Sequence, residues 1–471
     1  MIYLFSFLLM ALIGVIALIV NTFLKCRLSE EKIVASVILA SVVLFFSGLV
    51  FGFKSISVQL VSSIDFSFSL QLNGFSLPFM LIAVVVPAAV LWTAHKEIKQ
   101  NKTLFYIFYL LAYASLISVF ISYNLILLFI FWEAAVLSLF FIIAFWGDQK
   151  TRKGASIKFL VFTQLSSLTL LAVFILFFSY TGSFNLGVIQ QLSALIPIGI
   201  QYIILSLLLV TVLIKMPLFP LHAWLPDAYT SAPTSGTILL SSLLSKMGGF
   251  ALIIFGFEMI PSAMSGAQPF LIAIGLLTVI YISIVATAQR DLKRLFSYSS
   301  MIYMALIFIG ISSLTTFGVD GAVLLIVSHS FIIALLFILS AELYDRTGTY
   351  DMSKMGGLAS KMPVLSFFFV FSVLAVMGVP GLSNFVGELL VFLGAYSVLP
   401  ISLIGLIGVI ISTNYYLKAI KSTLFGQIRA TFSKLGDVSR LDTLQLLLLS
   451  AFVVLAGVLP GLILSLVGAT I

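Results

Sequence analysis

Lys215-Met-Pro-Leu-Phe-Pro-Leu-His-Ala-Trp-Leu-Pro-Asp-Ala-Tyr-Thr-Ser-Ala-Pro-Thr-Ser-Gly236 leads into an apolar segment carrying Ser245-Lys246-Met247-Gly248-Gly249. Two lysines therefore lie inside stretches otherwise built for lipid. Pro217 and Pro220 lack the N–H that the carbonyls of Leu213 and Met216 would take in a continuous helix. A spanning helix tolerates such freed carbonyls only where protein or water supplies new partners. The stretch places charge beside opened backbone at membrane depth, which points to a hydrated path rather than inert packing.

The surrounding composition agrees. Of 471 residues, 62% are hydrophobic and 8% charged, more apolar surface than a soluble fold of this length can hide. The chain reads as an all-α polytopic membrane protein. Met1–Leu24 reads as a retained span, because the charged start and small-residue cleavage site of a signal peptide are missing. The lone Cys26 excludes a disulfide framework and a cysteine-ligated cluster or zinc site. His95, His222 and His329 are too scattered for a haem pair. Neither a Walker loop nor a dinucleotide-binding glycine fingerprint is present. The sequence thus offers no cofactor-binding and no metal-binding residues.

Fourteen spans of about 20 residues fit the hydropathy. Their limits are 2–24, 33–53, 74–92, 103–122, 123–146, 158–180, 200–222, 237–258, 268–288, 294–315, 319–343, 363–398, 400–425 and 444–468. The seventh is broken at Pro217. The twelfth is too long for one helix and contains Gly378-Val-Pro-Gly-Leu-Ser-Asn384, so it reads as two half-helices around Pro380.

Charge assigns the sides. Basic residues follow spans 1 (Lys25, Arg27, Lys32), 3 (Lys96, Lys99, Lys102), 5 (Lys150, Arg152, Lys153, Lys158), 9 (Arg290, Lys293, Arg294), 11 (Arg346, Lys354, Lys361) and 13 (Lys418, Lys421, Arg429, Lys434, Arg440). All fall on one face; the other has only Lys54. The positive-inside rule then puts both termini outside the cytoplasm. The net charge of +8 is accounted for by this asymmetry and calls for no nucleic acid. Ile64-Asp-Phe-Ser-Phe-Ser-Leu-Gln-Leu72 alternates with period two and favours a small outer hairpin, although an ordered loop fits the same pattern. Residues 181–199 read as an outer loop, and residues 429–442 as a cytoplasmic loop with room for a surface helix.

Few ionisable groups remain once the loop charges are set aside. They are Glu133 in span 5, Lys215 in span 7, Lys246 in span 8, His329 in span 11 and Glu388 just past the break in span 12. An ionised group at mid-span costs about 2.5–3.5 kcal/mol on insertion scales, so these must pair or be hydrated. On the structural reading, Glu133 and Lys215 form an ion pair that fixes helix packing. On the functional reading, the five form a proton relay. Burial favours a neutral amine and a neighbouring carboxylate favours the ammonium, so a lysine with a changeable carboxylate neighbour is a switchable proton site. Histidine titrates near neutrality without such tuning. Two broken helices beside five such groups favour the relay. His222 and Asp227, at the cytoplasmic end of span 7, suit either a path for proton uptake or a capping role. Glu258, Asp320 and Glu342 sit near span ends and read as solvated.

At these residues the chain resembles the antiporter-like membrane subunits of respiratory complex I, a family shared with Mrp cation/proton antiporters and membrane-bound hydrogenases. The matching stretches are Trp132-Glu133 with Phe145-Trp146-Gly147, Lys215-Met-Pro through Pro233-Thr234, Lys246, Ser328-His329 with Glu342-Leu-Tyr, and Pro380-Gly381 through Glu388. The resemblance implies two inverted five-helix repeats, spans 4–8 and 9–13, each with one broken helix. The chain would then divide into residues 1–102 (three spans and the hairpin), 103–259, 260–426, and 427–471 (loop and last span). It also implies roles. Glu133 would modulate Lys215 as its ion-pair partner, Lys246 would be the central relay, and His329 would connect it towards Glu388 near the outward exit. Glutamate at 388 is more like the M-type (chain 4) subunit than relatives carrying lysine there.

The implied function is proton translocation in a redox-driven NADH:quinone-type oxidoreductase, by a subunit that is itself non-redox. Quinone and Fe-S clusters would reside in partner membrane and peripheral subunits, within a prokaryotic plasma membrane. The rivals are Na⁺/H⁺ antiport of the Mrp type or in a hydrogenase, a structural scaffold without ion conduction, and an independent solute carrier. Lysines at the centre favour protons over sodium.

Overall fold

A computed structural model describes residues 2–23, 29–62, 65–72, 74–432 and 435–467. Leu24, Lys25, Cys26, Arg27, Ile64 and Lys434, named above, lie outside these. The described chain is helical apart from one antiparallel hairpin. In order it forms α1 (Ile2–Phe23), α2 (Glu30–Phe51), β1 (Ile56–Val61), β2 (Phe66–Leu70), α3 (Ser76–Glu97), α4 (Lys102–Ile121), α5 (Leu125–Trp146) and α6 (Arg152–Thr181). Then come α7 (Leu186–Leu192), α8 (Ile198–Lys215), α9 (Leu225–Ser231), α10 (Thr234–Glu258), α11 (Pro261–Thr287), α12 (Leu292–Ser312) and α13 (Thr316–Thr347). The rest is α14 (Pro363–Val376), α15 (Ser383–Val398), α16 (Gly405–Leu424), α17 (Arg440–Val458) and α18 (Pro460–Val467).

Among the described residues, thirteen helices are long and apolar enough to cross a membrane. The stretch expected as two half-helices around Pro380 forms the two shorter apolar helices α14 and α15. The helices differ sharply in what surrounds them. Helices α1 and α2 turn Leu12, Ile13, Ile16, Leu39 and Val50 outward, as lipid-facing helices do. In α10 and α13 the most apolar stretch is wholly buried, and in α12 it is 94% buried. These enclosed helices carry Lys246 and His329, so the ionisable groups sit where lipid does not reach.

The chain divides into two compact units, the first Met1–Met216, Ser231–Ala267 and Leu466–Ile471, the second Pro217–Thr230 and Gln268–Ser465. In the first, α8 stops at Lys215 ahead of the two prolines, and Met216 donates back to the carbonyl of Val212. The Phe219–Pro220 peptide, which belongs to the second unit, is cis. Helix α10 starts after Pro233, and its first N–H groups are taken by Glu97. That carboxylate accepts from the amides of Thr234 (2.6 Å) and Ser235 (3.2 Å), where orphan donors and the helix dipole favour an anion.

In the second unit, α14 ends in the bond pattern that a left-handed residue allows. Val379 donates to the carbonyl of Leu374 and Gly378 to that of Ala375, with Gly378 at φ +67°. This is the helix stop that glycine favours because it has no Cβ to clash.

Four expectations change. The alternating stretch supplies only β2; its partner is β1, paired Ile56 to Leu70 with a bulge between Gln59 and Val61. Ser67 and Ser69 are the buried side chains of the alternation rather than Phe66 and Phe68, because Asn124 offers Ser67 a polar neighbour at 3.4 Å. The segment 181–199 contains α7, capped by the Asn185 side chain, which accepts from the amides of Gly187 and Val188. Among the described residues, 429–442 holds only a short turn at Ala430–Phe432 before α17. Its polar groups are committed elsewhere: Asp437 accepts from the first amides of α14, Val364 and Leu365, at 2.7 and 3.0 Å. Glu342 is buried rather than solvated, paired at 2.5 Å with Arg346 one turn on.

Candidate functional site

In the first unit, three helices position the expected groups. Lys215 is the last residue of α8 and is wholly buried. One turn earlier, Thr211 is pinned to α6: its hydroxyl donates to the carbonyl of Ser166 (3.1 Å), and Ser166 returns a bond to the carbonyl of Thr211 (3.2 Å). On the side of α10, Gly248 permits close approach, since a Cβ there would lie 2.6 Å from Met216 Cγ and 3.0 Å from Lys215 Cβ.

The Lys215 ammonium lies 4.8 Å from the centroid of the buried Trp132 ring, a cation–π geometry. Among the described residues it has no hydrogen-bond partner. Glu133, next to Trp132 on α5, accepts from the Gln164 amide at 2.8 Å through Oε2, while its buried Oε1 has no hydrogen-bond partner among the described residues. The expected Glu133–Lys215 ion pair is therefore not closed among the described residues. The ring of Trp132 holds the ammonium while Gln164 holds the carboxylate.

Lys246 owes its place to an irregularity in α10. Residues Leu240–Leu244 and Leu252–Glu258 are π-helical, flanking the α-helical turn that bears the lysine. The amide of Ser245 reaches back five residues to Leu240, which leaves the carbonyl of Ser241 open to side chains. That oxygen accepts from the Ser245 hydroxyl and from the Lys246 ammonium, each at 2.7 Å. Wide turns of this kind recur at functional sites. Among the described residues, no carboxylate is ion-paired with either buried lysine.

In the second unit, His329 on α13 accepts or donates at 3.2 Å to the Ser300 hydroxyl of α12. Its ring stacks on Tyr303, centroids 4.6 Å apart and planes within 16°. The Tyr303 hydroxyl donates at 2.9 Å to Oε1 of Glu388 on α15, and it is also hydrogen-bonded to the carbonyl of Val376 at the end of α14. Glu388 is 9% exposed and lines a cleft of about 510 Å³ with Met377, Gly378, Phe385 and Leu389. The Ser328 hydroxyl donates to Asn384 Oδ1 at 2.7 Å, fixing α13 to the start of α15. His329 and Glu388 thus belong to one cluster through Tyr303.

His222 and Asp227 lie in the turn region after the α8 stop. His222 packs edge-on against Tyr281, with centroids 5.6 Å apart. Asp227 meets Arg294 at 3.5 Å, the side chains 38% and 40% exposed, a wet pair that contributes little stability.

Two polar participants escaped the sequence reading. Gln164 and Tyr303 are uncharged, so a search for ionisable groups in spans passes over them. Tyr303 did carry a signal: it follows Ser299 and Ser300 by four and three residues, which puts a polar stripe on one face of α12.

Gly378 is tied to the site as well as to the helix stop. A Cβ there would lie 2.8 and 3.0 Å from the two Glu388 carboxylate oxygens. Gly378→Ala is expected to lower stability by about 1–3 kcal/mol, the cost of holding a residue other than glycine in a left-handed conformation, and to displace Glu388. Thermal unfolding of the purified chain in detergent checks this; an unchanged midpoint would contradict the close approach.

The family model described as NADH:quinone oxidoreductase/Mrp antiporter, TM matches residues 122–413. The chain is 34% identical over 411 residues to NADH-quinone oxidoreductase subunit M of Rickettsia conorii, covering 86% of this chain and 82% of that one. Among solved structures, respiratory complex I from Thermus thermophilus with bound NADH contains a similar chain, with a TM-score of 0.89 and 26% identity over 98% of this chain and 97% of that chain. A chain of the Mrp complex from Dietzia sp. DQ12-45-1b has the same fold, with a TM-score of 0.87 and 20% identity, covering 100% of this chain and 51% of that one.

Proposed function

Because the chain belongs to the NADH:quinone oxidoreductase/Mrp antiporter membrane family, we propose that it is the M-type, proton-translocating membrane subunit of a complex I-like oxidoreductase. One observation carries the reading. Lys246 is 1% exposed on a helix whose apolar stretch is buried throughout, and its side chain rests on a backbone carbonyl that a π turn has released. An amine so placed contributes little to stability; its use is to take up and release a proton.

On this reading the five groups act in order. Protons enter from the cytoplasm by way of His222 and Asp227 and load Lys246. Glu133, close to Lys215 in one state and held by Gln164 in another, alters the hold of Lys215 on its proton. His329 passes protons towards Glu388, which releases them outside. We assign α14 and α15 together as one broken span. This brings the count to fourteen and leaves both termini outside the cytoplasm in a prokaryotic plasma membrane. The divisions at residues 102, 259 and 426, with inverted five-helix repeats between them, complete the assignment. Electron transfer, quinone and Fe-S clusters belong to partner subunits; this chain contributes the proton path.

The test uses the complex containing this chain, reconstituted in vesicles and driven by its electron donor, with internal pH followed by a dye. Proton movement at fixed pH is expected to be the same with and without sodium. A requirement for sodium would replace this reading by Na⁺/H⁺ antiport, the rival that the shared family leaves open.

A further inference from the structure

We infer that Tyr303 is a positioning residue whose single hydroxyl proton alternates between the Glu388 carboxylate and the carbonyl of Val376, tying the proton load of Glu388 to the break between α14 and α15. The inference rests on the translocation reading above.

The argument starts from backbone accounting. At the end of α14, Met377, Gly378 and Val379 donate to the carbonyls of Val373, Ala375 and Leu374. The amide that would serve Val376 in a continued helix belongs to residue 380, which is proline and has none. A buried carbonyl left without a donor is costly, and here the Tyr303 hydroxyl reaches it. That same hydroxyl lies 2.9 Å from Glu388 Oε1. A phenol has one proton to donate and can also accept, so it cannot donate to both oxygens at once.

Two arrangements are open to the three groups. With Glu388 ionised, Tyr303 donates to the carboxylate and the Val376 carbonyl loses its donor. With Glu388 protonated, the carboxyl donates its own proton to the Tyr303 oxygen, and Tyr303 turns its proton to Val376. Tyr303 keeps one proton throughout, and the only proton gained or lost is the one on Glu388. Each cycle of loading and release therefore makes and unmakes a bond to the last turn of α14. The ring does not need to move, since it stays stacked on His329.

Tyr303→Phe tests this in the assembled, reconstituted complex, because it keeps the ring and its stacking and removes only the hydroxyl. The readout beyond activity is the infrared carbonyl stretch of protonated Glu388, identified as the band that Glu388→Gln removes. In Tyr303→Phe this band is expected at higher wavenumber, as for a carboxyl that has lost a hydrogen bond. Proton pumping is expected to fall about tenfold, the order expected when a hydrogen bond to a charged group is lost, with electron transfer and assembly retained. An unmoved band overturns the proposal, and so does a moved band with pumping at the wild-type rate. Normal pumping in Glu388→Gln would instead remove Glu388 from the translocation path, a failure the band in Tyr303→Phe does not share.

Discussion

Lys246→Met is expected to leave the complex assembled and its electron transfer measurable, while proton pumping in vesicles falls by at least about tenfold, or some 1.4 kcal/mol on the barrier. Methionine is the informative replacement because it nearly preserves the length and volume of the lysine stem. Among the described residues the buried lysine has no carboxylate partner, and its ammonium meets one carbonyl, that of Ser241. Removing such a charge leaves no opposite charge stranded, so the substitution is expected to be neutral or stabilising. The Ser241 carbonyl keeps the Ser245 hydroxyl at 2.7 Å and is not orphaned. A fall in pumping therefore cannot be ascribed to a damaged fold. If the chain were only a scaffold, Lys246→Met would pump normally, and the relay would have lost its centre.

Other features of the site follow the same division between what side-chain chemistry announces and what geometry adds. The stop of α8 at Lys215 was legible because Pro217 and Pro220 together delete two amides within one turn, whereas α3 and α11 each run on through a single interior proline, Pro87 and Pro269. The break at Pro380 was legible because that stretch is too long for one helix and sets Gly378 and Gly381 around the proline. The placing of Lys246 and His329 inside apolar stretches was legible, but the sequence said only that they pair or are hydrated, and their near-complete burial was not read from it. The partners of Glu133 and Lys215 were not legible. Nothing in the order of residues says that Gln164, on the next helix, reaches the carboxylate while Trp132 takes the lysine.

Glu342 shows a signal that was present and underweighted. Arg346 stands four residues on, the spacing at which helical side chains meet, and it pairs with the buried Glu342 carboxylate. The strand Ile56–Val61 was not legible: Ile56-Ser-Val-Gln-Leu alternates too, but its side chains are mostly exposed, so no buried face sets its register. The π turns around Lys246 have no sequence rule at all.

Glu133→Ala is expected to reduce pumping to a similar degree as loss of Lys246, and Glu133→Gln decides why. The alanine removes both the charge and the acceptor for Gln164. The glutamine can still accept from the Gln164 amide through its carbonyl oxygen, so the contact at 2.8 Å between α5 and α6 survives while the charge does not. If Glu133 acts by its field on Lys215, both variants pump poorly, because the field of a unit charge in a buried site is the larger effect. If Glu133 serves only to join two helices, Glu133→Gln pumps at the wild-type rate and Glu133→Ala fails by misassembly. A third variant, Gln164→Leu, separates the states. It frees the carboxylate from its neutral partner, so Glu133 is left to pair with Lys215, and a relay that depends on alternating between the two arrangements should stall with electron transfer intact. Undiminished pumping in Gln164→Leu would mean that the arrangement with Gln164 has no part in the cycle and that the carboxylate works from a fixed position.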